Sequence, residues 1–139
     1  MAEPLARTLA LLGTERAWVV HGTDGLDEVT LADSTFVAET ENGDVRTFEI
    51  KPEDFGLQRS PVSNLRGCDA EGNAEIIRDV LNGKRKDQAR ALVVINAATA
   101  LYVGGAAGNL LEGVRVAEES INNGLAAEKL DRLIKKTND

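Results

Sequence analysis

Two hydrophobic periods divide this chain. Leu5, Leu9 and Leu12 recur at helical spacing over 2–12, with Pro4 suited to a first turn and Gly13 to the position past the end. The apolar run Ala17-Trp18-Val19-Val20 then reads as a buried strand, and 29–31 as a possible continuation of a sheet. Over 35–39 and 45–50 the period becomes two: Phe36 and Ala38 alternate with Val37 and Glu39, and Phe48 and Ile50 with Thr47 and Glu49. Asn42-Gly43 between them accepts the positive φ angles of a tight hairpin turn. Pro52-Glu53-Asp54-Phe55-Gly56 reads as a short helical turn, and 57–72, with Pro61 and two glycines, as an irregular loop.

From there the period is helical. Asn73 is a candidate cap for a helix with the stripe Ile76, Ile77, Val80 and Leu81, ending at Gly83. Asp87 is a candidate cap for the next, over 88–103, which is apolar nearly all round and therefore expected to be central and buried. Gly104-Gly105 ends it. Asn109 can cap a third helix that stops near Gly124, and a fourth from about Ala126 carries Leu130, Leu133 and Ile134. Lys135 and Lys136 then place positive charge at a helix C-terminus, where the dipole favours it. The expected class is α/β: a mixed sheet with flanking helices.

A chain of 139 residues predicts a single domain, 1–139, with no internal repeat or linker. Aromatic residues are only 4%, so the core must be built mostly from Leu, Val, Ile and Ala. The net charge of −7 opposes nonspecific binding to nucleic acid or an anionic membrane, but still permits a phosphate ligand reached through a metal ion. Cys68 is the only cysteine, which excludes an internal disulfide and a thiolate metal site. With no signal-peptide pattern, a cytoplasmic location is expected. The longest apolar stretch, 91–103, is interrupted by Asn96 and too short to span a bilayer.

The candidate chemistry follows the first strand, in His21-Gly22-Thr23-Asp24-Gly25-Leu26-Asp27-Glu28. Glycine-rich acidic loops at strand ends are where α/β proteins commonly place ligands. Asp27 and Glu28 can present several hard oxygens to a divalent cation; magnesium is often held by one or two carboxylates plus substrate phosphates. On spacing alone a solvated acidic turn is the favoured reading, because Asp-Glu pairs are common; Gly25 and the preceding strand shift the balance toward a site. Asp24 is either a third ligand or a partner of N–H groups in the Gly25 turn, and the turn role is favoured. His21, the sole histidine, could donate to a phosphate or orient the loop; catalysis by it is not expected. Arg66 is the cation to watch for anion contact. Gly104-Gly105-Ala106-Ala107-Gly108 follows a helix rather than a strand, so a helix–helix turn is expected there rather than a phosphate loop. The run Lys84-Arg85-Lys86 reads as a solvated connection. No Ser/His/Asp arrangement or zinc spacing is apparent.

The octapeptide resembles the His-Gly-x-x-Gly-Leu-Asp-Glu signature of the anthranilate phosphoribosyltransferase family. The resemblance continues in order through Glu15-Arg16-Ala17, Val19-Val20-His21-Gly22, Pro52-Glu53-Asp54-Phe55-Gly56-Leu57 and Asn73-Ala74-Glu75-Ile76-Ile77. Asn96-Ala97-Ala98-Thr99-Ala100-Leu101-Tyr102-Val103 and then Leu110, Glu112 and Gly113 extend it. It implies transfer of phosphoribosyl from 5-phosphoribosyl diphosphate to the amino group of anthranilate, in tryptophan synthesis. It further implies Mg2+ held with the diphosphate by Asp27 and Glu28, and a partial catalytic domain of nucleoside-phosphorylase-like architecture. The family's upstream Gly-Thr-Gly-Gly-Asp loop, its anthranilate-binding residues and its helical domain have no counterpart here. The chain is therefore expected to be a C-terminal piece: a fragment, a gene truncated at Met1, or half of a split protein. Such a piece would be inactive alone, and would form a homo-oligomer or need the missing N-terminal segment. Gly67-Cys68 also departs from the Gly-Gly common in the family. The alternative is a non-catalytic subunit or remnant that associates with another chain.

Overall fold

The computed structural model describes residues 1–61 and 67–138. Helix α1 (Ala2–Leu11) leads into strands β1 (Arg16–Gly22), β2 (Thr35–Glu41) and β3 (Asp44–Ile50). A 3-10 turn at Pro52–Phe55 precedes helices α2 (Ala70–Leu81), α3 (Gln88–Val103), α4 (Leu110–Asn122) and α5 (Leu125–Asn138). The α/β class, with helices flanking a sheet, is as the pattern predicts. The described strands form one sheet, β1-β2-β3, and each runs antiparallel to its neighbour. A parallel neighbour, which a mixed sheet requires, would have to pair on an outer edge of β1 or β3. Asn42 and Gly43, at φ 52° and 90°, make the tight turn from β2 to β3.

Residues 29–31 do not continue the sheet. They are buried, but their backbone groups take other partners. Asn96 bonds Val29, the Thr30 N–H donates to Thr35 Oγ1 at 3.0 Å, and the Leu31 carbonyl accepts from the Ser60 N–H at 2.9 Å. With those groups so occupied, 29–31 add no strand to the described sheet.

The sheet has two covered faces. Val37 stands opposite Val20 and Phe48 on the face that packs with Val29, Leu31, Ile50, Phe55, Ile95 and Ala98. Helix α1 lies against all three strands, and its Ala6, like Ala38 of β2, is fully buried. A second core of Val80, Val94, Ala117 and Ile121 joins α2, α3 and α4. The α3–α4 approach is close because Gly113 has no side chain: a Cβ there would lie 2.6 Å from the Ala98 carbonyl oxygen.

Two caps differ from expectation. Asp69, not Asn73, caps α2, accepting from the Gly72 N–H at 2.9 Å. Asn73 lies inside the helix and bonds back to the N–H and C=O of Cys68, at 2.9 and 3.1 Å. Asp87 occupies the cap position of α3, but its side chain pairs with Arg85 and makes no cap bond. Asn109 caps α4 as expected, accepting from the Glu112 N–H at 2.9 Å.

Glu39, in the middle strand, has no exposed side-chain surface. It accepts from Trp18 Nε1 at 2.7 Å, from Arg16 at 3.3 Å and from Arg46. Arg16 also donates to the Tyr102 carbonyl at 3.3 Å and lies 4.3 Å from the centre of the Tyr102 ring. Trp18 meets Phe48 and Tyr102 edge-on, at 5.2 and 5.4 Å between centroids. Burial opposes the charge on Glu39, but the bonds from Trp18, Arg46 and Arg16 outweigh it and hold the carboxyl below its ordinary 4.5.

Helix α3 is apolar nearly all round, yet it is not buried all round. Val94, Ile95, Ala98 and Thr99 are buried, while Val93 and Ala100 face outward. With Leu81, Leu101 and Leu125 they line an apolar groove of about 670 Å3. Helix α5 buries no residue, and Leu133 and Ile134 are exposed. The physical reason is a lack of cover among the described residues.

Replacing Glu39 with Gln should cost about 1–3 kcal/mol in urea unfolding at neutral pH, because it weakens bonds to two guanidinium groups. The lowered folded pKa means that the charge stabilises fully above the ordinary value of 4.5, and that this is lost as pH falls through the folded value. The difference between parent and Glu39→Gln should therefore narrow in acid; a pH-independent difference would remove the charge from this account. The open α3 and α5 surfaces predict self-association and binding of an apolar dye. Sedimentation at several concentrations checks this, and a monomer at high concentration without dye binding would show that these surfaces need no cover.

Candidate functional site

The acidic loop spans residues 23–34, between β1 and β2. Its first turn is closed by the Gly22 N–H donating to the Leu26 carbonyl at 2.8 Å, and by the Gly25 N–H donating to the Gly22 carbonyl at 2.9 Å. Gly25 has φ 95°, a conformation that a side chain would strain. Asp24 fastens the turn from inside: one oxygen accepts from the Leu26 N–H at 3.2 Å, the other from the Thr30 hydroxyl at 2.6 Å. This is the turn role the sequence favours for Asp24. Thr23 closes the base of the loop, its N–H and its hydroxyl both donating to the Ser34 carbonyl at 2.9 Å.

Asp27 and Glu28 are exposed, and among the described residues neither carboxylate has a hydrogen bond or ion pair. The other acids of the loop are occupied. Asp24 holds the turn, while Asp33 accepts from the Ser34 N–H at 2.8 Å and from Arg59 at 2.9 Å. Those bonds, the Ser34 N–H first, keep the Asp33 carboxyl below its ordinary 3.8. Among the described residues the loop therefore offers two unengaged carboxylates side by side.

His21 is exposed at the end of β1 and lines, with Asp27, a cleft of about 760 Å3. Val19, Val20, Phe36 and the first turn of α1 form its other walls. Glu28 is not part of that lining. Arg66 lies outside the described residues. Arg59, which sequence reasoning passed over, bridges Asp33 and Glu53 at 2.9 Å each and ties the segment after the 3-10 turn to the loop. Asn96, which the sequence marks as a break in an apolar stretch and as the start of a family-like segment, is bonded to this loop. Lys84 pairs with Asp79 and Arg85 with Asp87, in keeping with a solvated connection.

No group of three or more His, Cys, Asp or Glu side chains that could hold a metal occurs among the described residues. The loop is thus no closed cage. Two unengaged carboxylates nevertheless fit magnesium, which keeps several waters and takes its remaining oxygens from substrate phosphates.

Residues 1–127 match the family described as "Glycosyl transferase family, a/b domain". The chain belongs to this glycosyl transferase family. An anthranilate phosphoribosyltransferase of Azorhizobium caulinodans is 52% identical over 134 residues, 96% of this chain and 39% of that protein. One of Rhodopseudomonas palustris is 48% identical over 136 residues, 98% of this chain and 40% of that protein. Among solved structures, anthranilate phosphoribosyltransferase from Saccharomyces cerevisiae in complex with PRPP and Mg matches with a TM-score of 0.87 at 30% identity. That match covers 96% of this chain and 39% of the yeast chain. This glycosyl transferase family member thus spans about 40% of the length of the curated relatives it matches.

Gly22→Ala tests how the family member's acidic turn is built. A Cβ at Gly22 would stand 2.5 Å from Asp24 Oδ1 and 3.2 Å from Thr30 Cβ, so the Asp24 carboxylate must leave its bonds. The expected loss is about 1–3 kcal/mol by denaturant unfolding, with faster amide exchange at Leu26. An unchanged Leu26 exchange rate would show that Asp24 does not hold the turn.

Proposed function

We propose that this chain supplies the acidic-loop part of an anthranilate phosphoribosyltransferase and is incomplete by itself as a catalyst. In the reaction, the anthranilate amino nitrogen forms a bond to C1 of the ribose as the bond from C1 to the diphosphate breaks; pyrophosphate leaves and the nitrogen gives up a proton. The reading is supported by the two unengaged carboxylates of Asp27 and Glu28, standing where the family signature puts its acidic pair. These two residues would hold Mg2+, with waters and diphosphate oxygens completing its shell. When bound, the ion would neutralise charge on the departing pyrophosphate while positive character grows at the ribose carbon.

The remaining residues act on the loop. Asp24 and Thr23 close it, and Gly22 lets the turn approach β1. His21, on the same cleft as Asp27, serves as a polar contact for phosphate or loop. Arg66 remains a proposed anion contact on sequence grounds. Residues 1–139 are read as one domain, working in the cytoplasm in a step of tryptophan synthesis. The open α3 and α5 surfaces favour a second reading alongside this one: a subunit that works only when another chain, or a second copy, covers it.

The test uses a chain with the full length of its relatives, assayed by loss of anthranilate fluorescence with 5-phosphoribosyl diphosphate over a range of magnesium concentrations. Asp27→Asn with Glu28→Gln removes both charges at nearly constant size. Activity should fall by roughly two orders of magnitude or more at low magnesium, with thermal unfolding almost unchanged because exposed loop carboxylates contribute little to stability. The 139-residue chain alone should show no turnover. Unchanged activity of the double variant at every magnesium level would take the pair out of the mechanism. Lost activity together with unfolding would make the acidic turn structural.

A further inference from the structure

We propose that Asn96 is the positioning residue of the acidic loop, a role that rests on the reading of Asp27 and Glu28 as metal ligands. Asn96 lies on α3, where an apolar side chain would otherwise suit the pattern. A primary amide placed among apolar groups costs free energy unless its bonds are made. Here they are. Oδ1 accepts from the Val29 N–H at 3.0 Å, and Nδ2 donates to the Val29 carbonyl at 3.0 Å and to the Leu92 carbonyl at 3.0 Å. The side chain thus grips both backbone polar groups of one residue, as a neighbouring strand would, while its third bond anchors it to its own helix.

The position of that grip matters. Val29 directly follows Glu28 and is buried. On the other side of the pair, Leu26 is held through its carbonyl by Gly22 and through its N–H by Asp24. Asp27 and Glu28 therefore form a two-residue span pinned at both ends, by the β1 turn on one side and by α3 on the other. The span itself makes no side-chain bonds among the described residues, so its carboxylates point outward from a held backbone. Fixed ends lower the ordering cost of binding a cation through two side chains. Removing the Asn96 amide would leave a buried N–H and a buried carbonyl unpaired next to Glu28, and the second pin would be lost.

The experiment uses the 139-residue chain with manganese(II) alone as the probe. It follows paramagnetic broadening of backbone amides, and amide exchange without metal. In the parent, broadening should appear first at residues 27 and 28. Asn96→Leu keeps the branched shape and the number of side-chain heavy atoms and removes all three bonds. The Val29 amide should then exchange roughly ten-fold faster, and the manganese concentration for half-broadening should rise roughly ten-fold. Asn96→Gln keeps the amide but moves it by one methylene; it should show the same weakening and covers the case in which the leucine variant does not fold. A thermal midpoint for each variant separates a loosened loop from a loosened protein. If manganese broadens 27 and 28 equally in parent and folded variants while Val29 is freed, Asn96 does not position the pair and the proposal falls. If the parent shows no broadening at 27 and 28, the metal reading of the loop falls, and the role of Asn96 falls with it.

Discussion

The sheet is organised around a carboxylate that water does not reach. Glu39 sits on the middle strand, and a buried charge is tolerable only when its bonds are made. Its partners come from both neighbouring strands: Trp18 and Arg16 from β1, Arg46 from β3. A shift of either strand by one residue would turn those partners to the opposite face, so the charge specifies register as well as stability. Arg16 extends the constraint to the C-terminal end of α3 through the Tyr102 carbonyl and ring. Strand β1 is thereby held in place, and β1 is the base from which the acidic loop springs.

The loop shows the difference between acids that build and acids that are left over. Asp24 and Asp33 are used up in turns, bonded to N–H groups, hydroxyls and a guanidinium. Asp27 and Glu28, of the same chemical kind, are left exposed. On a chain carrying a net charge of −7, an anionic diphosphate would meet repulsion unless a cation stood between them. The proposed metal role of Asp27 and Glu28 rests on that contrast: among the described residues their carboxylates are exposed and unbonded on a tied loop.

The uncovered surfaces and the relatives' length point the same way. One side of α3 and the stripe of α5 are apolar without being buried, and the chain spans about 40% of the relatives it matches. Apolar periodicity records what a helix was shaped to pack against, and the described residues supply only part of it. The outer edge of β1 is likewise unpaired among the described residues. The outer edge of β3 is open in the same way, and a mixed sheet would need a parallel neighbour on one of the two.

Local chemistry was legible. The helices, the Asn42-Gly43 hairpin, the Asn109 cap and the turn role of Asp24 all depend on residues a few positions apart, where backbone preference and side-chain reach suffice. The family resemblance was also legible in the order of short motifs. Other features were decided only by the tertiary structure. Glu39 occupies an alternating position where a polar residue ordinarily means solvent, and only the arrival of Trp18, Arg16 and Arg46 makes its burial possible. Asn96 read as a flaw in an apolar helix, because its partner Val29 lies 67 positions away. Residues 29–31 have the composition of a strand, yet their hydrogen bonds go to side chains and a distant loop. Asp69 took the cap expected of Asn73 because helix α2 begins four residues earlier, leaving Asn73 free to tie down Cys68. In each case the local pattern recorded what a residue prefers, while long-range partners determined which of its bonds could be satisfied.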